Sequence, residues 1–147
     1  NPSRKIREWN LVRKFSTIAE FIPTRCTNWR RKVLSISGEA GNFTIITNKS
    51  NYQAKIIVVT IGPNNPFLIE GLEPFVEPHQ KTPPAKNRIQ LRNNDHLVAE
   101  GIYVAGVLAG HRSQLTIAAG SGAAVATDIL SLWNDGNHTM VHDSIKK

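Results

Sequence analysis

The chain has one cysteine and one methionine in 147 residues. With Cys26 alone, no intramolecular disulfide and no paired-cysteine redox centre can be built from it, and a lone thiol reads as an inert residue. Long hydrophobic runs are also missing. None reaches the roughly 18 apolar residues that a membrane span needs, and no charged-then-apolar leader opens the chain. The expectations that follow are a cytoplasmic location and no membrane partner. Glycine is absent before Gly38, which excludes a Gly-x-Gly-x-x-Gly phosphate-binding turn from that stretch. The histidines His79, His96, His111, His138 and His142 have no metal-ligand spacing and read as isolated surface residues. Ser113 has no evident histidine and carboxylate partners for nucleophilic catalysis.

The length fits one domain, which at this size buries about two-thirds of its unfolded surface without staples. The formal charge is +7, and its location says more than its size. Residues 1–32 carry nine basic side chains against Glu8 and Glu20, whereas the remaining residues carry nine of each sign. Such a segment faces nucleic acid, an acidic partner or water. Trp9 and Trp29 are available for base stacking. The periodicity puts Trp9 on the apolar side of its helix, so nucleic acid is the weaker reading and a solvated helix face the stronger.

After Ser3, a candidate N-cap, Ile6, Trp9, Val12, Phe15, Ile18 and Ile22 recur at helical spacing. They predict an amphipathic helix from Ser3 to about Glu20, ended before Pro23. Three β-branched runs follow, Val33 to Ser37, Asn42 to Thr47 and Tyr52 onward, divided by Gly38-Glu39-Ala40-Gly41 and Asn48-Lys49-Ser50-Asn51. Short turns between such runs predict an antiparallel meander. Ile56 to Val59 is continuously apolar, as expected of a strand buried on both faces in a parallel sheet, and Gly62-Pro63 ends it. Residues 63–87 are proline-rich and read as a long connecting loop. Arg88 to Leu91 predicts a short strand, and Ile102 to Ala105 a second buried strand that Gly106 breaks. From about Ser113, the spacing of Leu115, Ile117, Ala118, Val125, Ile129 and Trp133 predicts a helix ending at Asn134-Asp135-Gly136. Its first half, Ala118 to Ala124, is built from alanine, glycine and serine. That composition lets a backbone or a flat ligand approach closely.

A buried strand, a glycine turn and a helix start with small residues form an anion-accepting edge, because unpaired N–H groups and the helix dipole point over the turn. Tight helix-on-sheet packing is the alternative from these residues alone.

The order of elements, together with Gly101-Ile102-Tyr103-Val104-Ala105-Gly106 and then Gln114-Leu115-Thr116-Ile117-Ala118-Ala119-Gly120-Ser121-Gly122-Ala123-Ala124, resembles the second part of an FAD domain. The family is that of the pyridine-nucleotide-disulfide oxidoreductases, in particular the thioredoxin-reductase-like FAD-dependent members. The resemblance runs from about residue 3 to 135 and is specific in Gly101 to Ala124. It implies an α/β fold, a Rossmann-like three-layer FAD/NAD(P)-binding domain with a parallel sheet and an inserted antiparallel meander, lacking its first βαβ unit. Residues 1–147 would then be a single, incomplete domain, with the glycine fingerprint expected upstream of Asn1. The implied cofactor is FAD, the implied electron donor NAD(P)H, and the implied activity flavin-dependent oxidoreduction without the paired-cysteine site. A homodimer or a partner chain would complete the fold. The implied cofactor-binding residues are Thr60, Gly62, Gly106, Val107, Ser113, Gln114 and Leu115. Within them, Val107 stands where the family has aspartate, Ser113 where it has arginine, and Thr60-Ile61-Gly62 where it has Ala-Thr-Gly. The other readings are a degenerate, non-catalytic relative serving as a subunit or interaction module, and nucleic-acid binding through the basic first segment. No catalytic residue and no metal ligand is assigned from the sequence.

Overall fold

The computed structural model of the chain describes residues 30–139. The expected helix from Ser3 to Glu20, Cys26 and the basic side chains before Arg30 lie outside the described residues. The β-branched runs form the meander: β1 (Val33–Glu39), β2 (Asn42–Thr47) and β3 (Asn51–Ala54) pair antiparallel in that order. The first hairpin closes on the pair Glu39 and Asn42 across Ala40-Gly41. The second closes through Thr47, whose hydroxyl donates to the Ser50 carbonyl at 2.7 Å and accepts the Lys49 and Ser50 N–H groups at 3.3 and 3.1 Å. A threonine side chain at a strand end substitutes in this way for ladder bonds that the turn breaks.

Beyond Lys55-Ile56 the chain enters β4 (Ile57–Val59). This strand pairs in parallel with β8 (Ile102–Val104), in the register Ile57 with Ile102, Val58 with Tyr103 and Val59 with Val104. On the other side of β8 lies β7 (Leu97–Ala99), antiparallel to it. A third, two-stranded sheet joins β5 (Val76–Pro78) to β6 (Ile89–Leu91) antiparallel. The chain ends in one long helix, α1 (Leu115–Trp133). The described residues thus form a mixed α/β arrangement of one long helix and three small, mostly antiparallel sheets with a single parallel pair. They show no Rossmann pattern, in contrast to the expected Rossmann-like three-layer domain with a parallel sheet, while the inserted antiparallel meander is present. The connection from β4 to β8 shows why, since it carries Pro63, Pro66, Pro74, Pro78, Pro83 and Pro84. Fixed φ and missing N–H groups at that density do not support a crossover helix.

Other expectations need correction. The stretch read as a long loop contains β5 and two one-turn 3-10 helices, Glu73–Phe75 and Pro84–Lys86. β4 is not buried on both faces, because Val59 is buried while Val58 is 41% exposed. α1 is, by length and composition alone, long and apolar enough to cross a membrane, contrary to the reading of short apolar runs. Asp128 is its one charged residue. Little of the helix is buried, and the residues that are, Ser121, Val125 and Ile129, recur every four positions along one stripe.

The core is divided by the β4-β8-β7 sheet. Alternation along β8 sends Ile102 and Val104 to one face. There they join Ile36, Phe43, Val59, Ile69, Leu72, Ile89, Leu91 and Leu108 in the main cluster. Ala105 faces Val125 and Ile129 of α1, with Tyr103 and Ile56 packed alongside. Leu91, Val104 and Leu108 are fully buried, and each such side chain contributes about 1.5–3 kcal/mol over its exposed state. The main cluster lies directly below the turn that follows β8.

Candidate functional site

Because β4 and β8 run parallel, the segments leaving them emerge at the same end of the sheet. Thr60 and Gly62 follow β4, and Gly106 and Val107 follow β8. The Ala105 N–H donates to the Val59 carbonyl at 3.1 Å, so the ladder extends to the last residue before the turn. Both glycines have left-handed backbone, φ +80 at Gly62 and φ +75 at Gly106. A side chain added at Gly62 would meet nothing within 4 Å, and one at Gly106 would touch the Ala118 methyl at 3.9 Å. The turn therefore abuts the first part of α1, and the structure brings Thr60, Gly62, Gly106 and Val107 to one strand edge. Ser113, Gln114 and Leu115 begin the adjoining helix, and all three are exposed.

That helix start is open. Gln114 is the N-cap residue, in extended backbone, and its side chain makes no capping bond. Its carbonyl accepts the Ala118 N–H at 2.9 Å, so the N–H groups before Ala118 lack helical partners. No acidic residue lies in the first turn. An uncapped end of this kind favours negative charge nearby by roughly 0.3–1 kcal/mol when exposed.

The turn itself, a 3-10 segment over Gly106–Ala109, is held from several sides. Leu108 plugs the main cluster. The Val107 carbonyl accepts the Gly110 N–H at 3.0 Å and lies 3.0 Å from His79 Nε2. Asn93 Nδ2 donates to the Ala109 carbonyl at 3.1 Å and to the Leu91 carbonyl at 2.7 Å, tying the turn to β6. The Gly106 N–H donates to Ser121 Oγ at 2.8 Å. Ser121 Oγ lies 3.2 Å from His96 Nε2, which is 2.9 Å from His111 Nε2. The reading of all histidines as isolated surface groups is therefore wrong for three of them. His79 and His96 are buried, and His96 and His111 face each other with ring centroids 5.1 Å apart. His138 is exposed, and His142 lies outside the described residues. Burial, with the positive charge of His96 and Lys81 adding to it, lowers the His111 pKa from its ordinary 6.5. Asn93, His79, His96 and Ser121 were not legible as a group. They are scattered over 43 positions in sequence, and only the fold draws them together beneath one turn.

The described residues contain no group of three or more histidine, cysteine or carboxylate side chains able to hold a metal ion. For a flavin the fit is divided. Gly62, Gly106 and the small residues of α1 leave room for a flat ring, and the helix start offers N–H groups to its polar edge. Val107 is half-buried and gives a ribityl chain no side-chain acceptor, and its carbonyl is already engaged. A separate concavity of about 470 Å³ lies at the opposite end of the sheet, among Tyr103, Leu97, Ile56, Leu132 and Trp133. None of the expected site residues lines it. No protein-family model matches the chain, and no curated protein matches it.

Proposed function

We propose that the chain is the flavin-facing part of an FAD-dependent oxidoreductase domain of the thioredoxin-reductase-like type, without the paired-cysteine disulfide site. The observation that carries this reading is the placement of two left-handed glycines, Gly62 and Gly106, after the carboxyl ends of the two strands of a parallel pair. That edge is where ligands sit in α/β sheets, and the uncapped start of α1 adjoins it. In this reading the described sheets belong to the later part of a Rossmann-like, three-layer domain whose first βαβ unit brings the phosphate-binding turn. FAD, when bound, supplies the hydride and electron chemistry, with NAD(P)H as the donor. The chain's own residues bind and orient it. Gly62 and Gly106 would admit the ring, and Thr60 would border it. Ser113, Gln114 and Leu115 would form the helix start, whose dipole and unpaired N–H groups, from Leu115 onward, favour negative charge on it. The Gln114 N–H is held by the Arg112 carbonyl at 2.8 Å.

Adding FAD to the purified protein tests the proposal, through flavin absorbance retained after gel filtration. Retention is expected, and a colourless protein sinks it. Val107→Asp sharpens the test. Restoring an acceptor for the ribityl hydroxyls recovers about 1–3 kcal/mol of unpaired polar cost, a gain of roughly 5- to 150-fold in FAD affinity. An unchanged affinity in a folded variant contradicts the placement of the ribityl chain at Val107.

A second reading, a non-catalytic relative acting as a subunit, is favoured by the last turns of α1. Leu130, Leu132 and Trp133 are exposed there, Trp133 by 65%, apolar surface of the kind that marks interaction sites. Flavin-dependent NAD(P)H oxidation by the isolated protein rejects it. A stable complex without bound flavin supports it. The nucleic-acid reading rests on residues that lie almost wholly outside those described, and nothing in the site adds to it.

A further inference from the structure

We propose that His96 and His111 act as a proton-limited latch that joins the two ends of the turn at residues 106–110 and opens when both rings become charged. Nitrogen valence sets the limit of this contact. At 2.9 Å between the two Nε2 atoms, one nitrogen donates and the other accepts. Two imidazoles have four ring nitrogens. The neutral pair carries two protons and the singly charged pair three, and in both states a lone pair remains to accept the shared bond. The doubly charged pair has none, so two N–H groups and two positive charges would face each other at hydrogen-bond distance. The contact survives one added proton and breaks on the second.

The latch is wired to the turn at both ends. On one side, Gly106 N–H donates to Ser121 Oγ, which sits 3.2 Å from His96 Nε2. On the other, His111 directly follows Gly110, the left-handed residue whose N–H closes the turn onto the Val107 carbonyl. Breaking the His96–His111 contact therefore removes one side-chain tie between the exit of the turn and its start, while the backbone closure of Gly110 onto Val107 remains. The groups facing the pair come from several elements. Asp95 Oδ1 is 3.6 Å from His96 Nδ1 and 91% exposed at its side chain. Lys81 approaches from the β5–β6 connection, Ser121 comes from α1, Asn93 Oδ1 accepts the His96 backbone N–H at 3.0 Å, and Arg112 follows His111 in the chain. His96 Nδ1, the ring atom nearest Asp95, is buried and has no hydrogen-bond partner. Lys81 disfavours charge on His111. His111 is half-exposed, and its pKa is lowered by the causes already given.

The effect on the turn stands on this geometry alone. Its consequence for a bound flavin, weaker binding once the latch opens, rests on the function proposed above. The test therefore uses the full chain without FAD, so that a failure of the flavin reading leaves it intact. Imidazole and backbone amide NMR shifts are followed from about pH 8 to about pH 5. The His111 ring is expected to titrate below its ordinary 6.5, with the Gly106 and Gly110 amides moving at the same midpoint. His111→Gln keeps a side-chain N–H donor but cannot titrate, and it should flatten the Gly106 response, whereas His138→Gln should leave it unchanged. An ordinary His111 midpoint, or Gly106 and Gly110 amides that do not move with it, overturns the proposal. So does an unaltered Gly106 response in folded His111→Gln. The wild-type titration decides the matter should that variant fail to fold.

Discussion

At the scale of single residues, the stability of the chain in mild acid is set in part by His111. Its pKa in the folded state is lowered by burial, His96 and Lys81, whereas in the unfolded chain it titrates near 6.5. Between those two values the unfolded state binds more protons than the folded one, so stability rises with pH there. Melting temperatures are accordingly expected to hold level above about pH 7 and to fall as the pH drops through 6.5. His111→Gln should shrink that fall, and an equal fall in wild type and variant contradicts the assignment. Gly71 gives a second residue-scale prediction. Its φ is +99, and an added Cβ would collide with the Ile36 carbonyl oxygen. That carbonyl belongs to the place where segment 69–71 pairs with β1, through Ile36 N–H to the Glu70 carbonyl at 2.9 Å. Gly71→Ala must therefore displace backbone as well as adopt a strained φ, and its cost should exceed the roughly 1–2 kcal/mol of left-handed strain alone. Urea denaturation checks this. A loss below 1 kcal/mol is the contrary result.

At the scale of elements, α1 is where sequence and structure agree most closely. The expected span began near Ser113 and ended before Asn134, and the helix runs Leu115–Trp133. Its stop is the expected one in kind. Asp135 and Gly136 both take left-handed backbone, and Gly136 N–H reaches back to the Ser131 carbonyl at 3.0 Å, as a Schellman closure does. A long periodic segment with a glycine stop is the strongest signal a sequence carries. Short strands carry weaker ones. β7 was not legible because three residues, Leu97–Ala99, give no periodicity to measure, and its turn to β8 is Glu100-Gly101 rather than the Asn-Gly or Asp-Gly that marks a hairpin. β5 was hidden by Pro74 and Pro78, and it escapes their effect by being a ribbon paired on one side only, to β6. Within α1, Gly120 and Gly122 have nothing within 4 Å of an added Cβ. Gly120→Ala and Gly122→Ala are each expected to stabilise the protein by about 0.5–1 kcal/mol through helix propensity alone, read as a rise in melting temperature. Destabilisation by either would show that a backbone packs against that side of the helix.

At the scale of the whole molecule, the sequence conveyed the meander and the two glycine-ended strands but not the sheet arrangement around them. Pairing partners are non-local. Nothing in Ile57–Val59 states that its neighbour is Ile102–Val104, more than forty residues on, or that the proline-rich connection folds back as a ribbon. The polar scaffold under the turn was illegible for the same reason, since Asn93, His96 and Ser121 meet only once β6, β7 and α1 are in place. Parallel order is nevertheless what puts Gly62 and Gly106 at the same end of the sheet, and the proposed function depends on that placement. The most direct test is to add FAD to the isotopically labelled chain and map the backbone amides that move. The account predicts saturable shifts centred on Gly62, Gly106 and Gln114, with little change at Tyr103 or Trp133 on the opposite end. No shifts, or shifts confined to the Tyr103–Trp133 concavity, would contradict it.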